Sequence, residues 1–102
     1  MAISKEAQDR KDAPIYTGFI VYFHDAIREV ARLSKIANDQ HNPGTLTHWD
    51  KSKSKDDADA MMRHIVDGVD EFLDTDGVPH DVKVAWRGMA VLQRRIDADK
   101  KK

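Results

Sequence analysis

The sequence predicts a small all-α domain: a helical bundle of three main helices, completed by association with further copies of itself. Three observations carry that expectation. Apolar residues recur at three- and four-residue steps in three separate stretches, and none of the chain reads as a strand. The turn-forming clusters Asn42-Pro43-Gly44 and Asp74 to Pro79 fall between those stretches. The 102 residues, 40% apolar and 34% charged, allow one modest core, and a mean hydropathy of −0.67 leaves little apolar surplus.

Residues 1–13 mix charges with small side chains and are expected to form a flexible arm ended by Pro14. The first helix is expected over about 17–39. Phe19, Phe23, Ile27, Val30, Leu33 and Ala37 form its apolar face, with Thr17 as a candidate cap and Gly18 marking a late start. A polar loop follows, QHNPGTLTHWDKSK from 40 to 53. In its Asn-Pro-Gly turn, proline fixes φ and glycine accepts positive φ.

The second helix is expected over about 56–73, opened by Ser54-x-x-Asp57, a variant of the capping box. Its apolar face reads Ala58, Met61, Met62, Ile65, Val69, Phe72 and Leu73, and Gly68 interrupts it. After the turn, Pro79 opens the third helix, about 79–97, with Val82, Ala85, Trp86, Met89, Leu92 and Ile96 as its stripe. A basic tail, 98–102, is expected to be disordered. The chain is thus one domain over 14–97.

Composition excludes several function classes. A net charge of −1 lacks the basic footprint of a non-specific nucleic-acid binder. With no cysteine, disulfide frameworks and thiolate metal sites are ruled out. No apolar run approaches the ~20 residues of a membrane span, and the polar N-terminus is unlike a signal peptide. A cytoplasmic protein without membrane or nucleic-acid partners is expected. Gly-rich P-loop, HExxH, Gly-x-Ser-x-Gly and EF-hand patterns are all missing.

One stretch stands out by charge. From Asp56 to Asp76 the chain carries eight acids against the single base Arg63. On a continuous helix Asp67, Glu71 and Asp74 share a face at i, i+4, i+7. A divalent cation would turn their repulsion into coordination, and hard oxygen ligands suit Mg²⁺ or Mn²⁺. The alternative is a solvated acidic face paired with the bases of a neighbour. Lys83 and Arg87, followed by Arg94 and Arg95, can neutralise acids or hold phosphates. The pair His80-Asp81 is an HD dipeptide, of the kind that HD-type phosphohydrolases place on a metal.

The ordered blocks YFHDAI, DQHNPG…HW…KS, DxADxxxRH and DTDGVPHxxKVAWR resemble the phage and bacterial dATP/dGTP diphosphohydrolases, relatives of the MazG-like all-α nucleotide pyrophosphohydrolases. The resemblance spans roughly residues 13 to 97. It implies an oligomeric helical enzyme that uses Mg²⁺ or Mn²⁺ to cleave purine deoxynucleoside triphosphates between the α and β phosphates, releasing monophosphate and pyrophosphate. Glu71-Phe72-Leu73-Asp74 has the spacing of the MazG-like E-x-x-D motif. The E-E-x-x-E motif of those proteins has no counterpart here, and Asp56 and Asp59 are its nearest substitutes.

The resemblance therefore implies metal ligands at Glu71, Asp74, Asp59 and Asp56, with the first three catalytic. Nucleotide contacts are expected from His41, Asn42, His48, Trp49, Lys53, Arg63, His64, His80, Lys83 and Arg87, with Trp49 and His41 against the purine. Asp59 and Asp74 would lie about 22 Å apart on one straight helix. One ion could join them only through a break at Gly68 or through a second subunit. A rival expectation is a phage protein that sequesters a nucleotide or cyclic nucleotide without cleaving it. A third is a plain interaction module, in which every such charge is surface.

Overall fold

The computed structural model describes residues 4–101, and among them the chain is helical with no β-strand beyond an isolated bridge between Leu73 and Pro79. It forms a short helix α1 (Lys5–Lys11), a π-helical segment (Tyr16–Ile20) running into α2 (Val21–His41), then α3 (Asp57–Asp70) and α4 (His80–Lys100). The expected all-α architecture is what the chain adopts. No helix is long and apolar enough to cross a membrane.

The boundaries differ from expectation in instructive ways. Part of the expected flexible arm is α1, because Ser4 caps it, its Oγ accepting the Ala7 N–H at 3.1 Å. Glu6 in its first turn and Arg10 and Lys11 in its last match the helix dipole. Residues 1–3 of that arm lie outside the described residues. At the other end, α4 continues to Lys100, through most of the expected tail, and Lys102 lies outside the described residues.

The first main helix does not start late at Gly18. Helical backbone begins at Ile15 and widens into π turns, with the Val21 N–H donating to the Tyr16 carbonyl. Gly18 sits inside this segment against the Pro14 ring, where an added Cβ would meet Cγ at 3.3 Å. Phe23 then leaves helical geometry (φ −120°, ψ 23°) and kinks the rod. A π segment beside a kink is a recognised cause of bending. Asn42 caps α2, and its carbonyl accepts from Thr45 Oγ1 at 2.7 Å. The buried Asn38 amide donates to the Thr45 carbonyl and hydroxyl, both at 3.2 Å, folding the Asn-Pro-Gly turn back on α2.

Helix α3 is unbroken through Gly68 and packs antiparallel on α4. Successive contacts fix that direction: Asp57 meets Arg94 and Arg87, Met61 lies under Gly88, and His64 and Gly68 meet His80. The face α3 buries is therefore small and polar rather than the apolar stripe expected. Asp57 and Ala60 are buried, whereas Met62, Ile65 and Val69 are exposed. Helix α2 packs on the other side of α4, where the Trp86 indole N–H donates to Ser34 Oγ at 2.9 Å.

Helix α3 also ends three residues early, at Asp70. Glu71 is extended (φ −135°, ψ 129°). The reason lies in the next turn. The Asp74 N–H donates to the Val78 carbonyl and the His80 N–H to the Phe72 carbonyl, at 2.9 and 3.0 Å, and Gly77 takes φ 83°. Residues 71–73 are drawn into this small closed turn and cannot continue the helix.

Candidate metal centre and its surroundings

Three elements converge at one end of the α3–α4 pair. Helix α3 supplies His64, the turn supplies Asp74, and the first residue of α4 supplies His80, which is buried. Their potential ligand atoms all lie within 4.8 Å of one another. His64 Nδ1 is 2.9 Å from His80 Nδ1 and 3.9 Å from an Asp74 oxygen. Two ring nitrogens at that separation share a single proton, since one must donate and the other accept. The close approach depends on Gly68, where a Cβ would stand 3.3 Å from His80 Cβ.

The carboxylates here are held ionised. Asp74 Oδ2 accepts from Lys83 Nζ at 2.7 Å and Oδ1 from the Thr75 N–H at 2.7 Å. Those bonds, Lys83's first, push the Asp74 carboxyl down to about 2. Lys83 also donates to Asp76 at 2.7 Å. Burial raises the Asp76 pKa, but Lys83 and the Val78 N–H outweigh it and the net shift is downward. Burial lowers the Lys83 ammonium, and its two carboxylates more than offset that. His64 is shifted below its ordinary value, first by desolvation and then by the Lys83 charge. A neutral imidazole with a free lone pair is the form that ligates metals.

Two imidazoles and one carboxylate are a mixed nitrogen–oxygen donor set, which suits a first-row transition ion better than Mg²⁺, which prefers oxygen. The residues fit such an ion on two conditions. The proton shared by His64 and His80 must leave, and Lys83 must yield or share Asp74 Oδ2.

Beside the cluster lies an open hollow of about 410 Å³. Ile65, Val69, Phe72 and Val84 give it apolar walls, and His64, His80 and Asp81 give it a polar end.

The expected ligands are otherwise dispersed. Among the described residues, Asp74 alone of Glu71, Asp74, Asp59 and Asp56 belongs to a group of metal-binding geometry. Glu71 lies past the helix end, so the expected helical i,i+3 pairing with Asp74 does not form. Asp56 pairs with Arg63 at 3.0 Å. Asp59 borders a separate shallow hollow with Arg63 and Asp67. His64 and His80, expected as nucleotide contacts, are the neighbours of Asp74. Their clue in the sequence was the HD dipeptide following a tight turn, with a second histidine one helix back.

The expected nucleotide loop is strapped down elsewhere. Trp49 packs edge-on against Trp86 with centroids 5.3 Å apart, and the Arg94 guanidinium and Lys51 ammonium each lie 5.1 Å from its ring. Arg94 also donates to the carbonyls of Lys51 and Lys53 at 2.8 and 3.2 Å. Arg94 lies 14 residues beyond His80 on α4, or about 21 Å along the helix, so Lys53 is anchored well away from the cluster. His48 Nδ1 is bonded to the Leu46 carbonyl, while His41 and Asn42 are exposed at the end of α2. Arg87 binds Asp57 at 2.5 Å. Of the expected phosphate-binding cations, Lys83 is the one that touches the cluster.

No protein-family model, no curated protein and no solved structure matches this chain.

Proposed function

We propose that this chain hydrolyses purine deoxynucleoside triphosphates to monophosphate and pyrophosphate, with a divalent ion held by His64, Asp74 and His80. The observation that carries the reading is the convergence of those three side chains with Lys83 at the edge of an apolar hollow. The sequence resemblance supplies the substrate class. When bound, the ion would polarise phosphate oxygens and acidify a water.

The chain's own residues do the rest. Lys83 offsets the negative charge that grows on the phosphates. Ile65, Val69 and Phe72 exclude water from one face of the base. Asp81, at the polar end of the hollow, offers a carboxylate acceptor for an exocyclic amine. No protein nucleophile is required, in keeping with the lack of cysteine.

A second reading, nucleotide binding without turnover, is favoured by one feature: Lys83 already supplies Asp74 with a cation. A product analysis separates the two. Each deoxynucleoside triphosphate is incubated with Mn²⁺ or Mg²⁺ and the products are resolved by chromatography. Monophosphate with pyrophosphate is the expected result, faster with Mn²⁺. Tight binding of intact nucleotide would instead establish the second reading, and nucleoside with triphosphate would reassign the reaction. His64→Ala and Asp74→Ala each lose at least about 100-fold in turnover, while Glu71→Ala keeps it.

A further inference from the structure

The chain exposes too much surface for a protein that works alone. A monomer of 11.6 kDa has an accessible surface of about 5,800 Å² by the usual size scaling, whereas this chain has 8106 Å². Its radius of gyration is 16.7 Å, against about 13 Å for a compact domain of this length. Helix α1 explains part of the excess, and its polar side chains need no cover.

Most of the apolar excess lies in two places. The first is the stretch Ile15 to Phe23, which carries no charged residue. Its π-helical part packs on neither α3 nor α4 and touches α2 alone. Ile15 and Tyr16 are both 68% exposed. The second is the outer face of α3 and the turn after it, where Val69 is 84% and Phe72 65% exposed. That face also carries Asp59, Asp67 and Asp70, which form no ion pair among the described residues. The helix continuing from the first patch is charge-balanced, Arg28, Arg32 and Lys35 pairing within it with Asp25, Glu29 and Asp39.

We infer that a second copy of this chain seats its Ile15–Phe23 segment on the exposed α3 face, and that the exchange is reciprocal across a two-fold axis. Two copies that each hide about half of the excess bury on the order of 2,300 Å² in total, the scale of an obligate dimer. A net charge of −1 per chain opposes it little. The consequence for the site, which rests on reading the hollow as the base pocket, is that Val69 and Phe72 form only its inner wall. The segment from the second copy supplies the outer one.

Cysteine is absent, so single-cysteine variants give an unambiguous test. Phe19→Cys and Val69→Cys proteins are mixed, allowed to exchange and mildly oxidised, and the mass of the native chain is measured by light scattering. The expected results are a native dimer or larger assembly and a dominant 19–69 disulfide between the two variants. A monomer at high micromolar concentration would overturn the proposal, as would exclusive 19–19 and 69–69 linkage. The double variant Phe19→Asp, Phe23→Asp is expected to be monomeric with helical circular dichroism retained. These readouts involve no nucleotide, so a dimer without hydrolase activity leaves this inference standing.

Discussion

Two acidic side chains illustrate how differently one residue type is used. Asp57 is almost wholly buried and accepts from both Arg87 and Arg94. A buried carboxylate is tolerated only when its lone pairs are filled, and removing it would strand two half-buried guanidinium groups. Asp57→Ala is therefore expected to lower stability by about 3–5 kcal/mol, read by urea unfolding. A change of under about 1 kcal/mol would show the pair to be incidental. Asp74 is tuned instead. Its carboxyl is held down to about 2 chiefly by Lys83, so its stabilising contribution is complete above its ordinary value of 3.8 and is lost as pH falls towards 2. In metal-free Lys83→Met protein, the Asp74 carboxyl signal followed by ¹³C NMR is expected to titrate clearly above 2 but still below 3.8, because the Thr75 N–H bond remains. A titration unmoved from about 2 would place the cause elsewhere.

At the scale of the elements, the glycines at the α3–α4 contact are where propensity and packing compete. An alanine in a helix is favoured over glycine by about 1 kcal/mol. At Gly88 the new Cβ meets only the flexible Met61 sulfur at 3.6 Å, so Gly88→Ala should gain that increment. At Gly68 it meets His80 Cβ at 3.3 Å and must push α4 away from α3. Gly68→Ala is thus expected to leave stability within about 1 kcal/mol of the parent, gain and strain offsetting. Its Mn²⁺ affinity by calorimetry should fall at least about tenfold, because the His64–His80 separation widens. Unchanged affinity would count against this cluster as the site. The same helix shows what the sequence could and could not convey. Three helices and the turns between them were legible because period and punctuation are local. The helix end at Asp70 was not, because Phe72 and Leu73 continue the apolar pattern while the Leu73–Pro79 bridge pulls them out of it. That one tertiary contact removed the E-x-x-D pairing and left Asp74 facing two histidines. Nor was the buried face of α3 legible. It is chosen by an ion pair, a glycine and a histidine, none of which registers in a hydrophobic pattern.

At the scale of the whole molecule, association is expected to add to the stability of a fold that each copy can adopt alone. Among the described residues the buried apolar side chains are Ala60, Val78 and Ala90, all small. Burying apolar surface contributes roughly 25 cal/mol per Å², while ordering each residue costs about 1–2 kcal/mol. A single copy with so little buried therefore has a narrow margin, and many of the large apolar side chains that could widen it are exposed. If a second copy covers Phe19, Phe23, Val69 and Phe72, mass action links stability to concentration. The melting temperature should rise by several degrees for each tenfold increase in protein, since about 1 kcal/mol shifts a domain of this size by roughly 4–8 °C. Dilution should also increase the fluorescence of a dye that binds exposed apolar surface. The Phe19→Asp, Phe23→Asp variant should lose the concentration dependence and melt at the dilute limit of the parent. A melting temperature of the parent chain that stays constant over a hundredfold range of concentration would mean that the α2–α4 and α3–α4 contacts suffice without a partner.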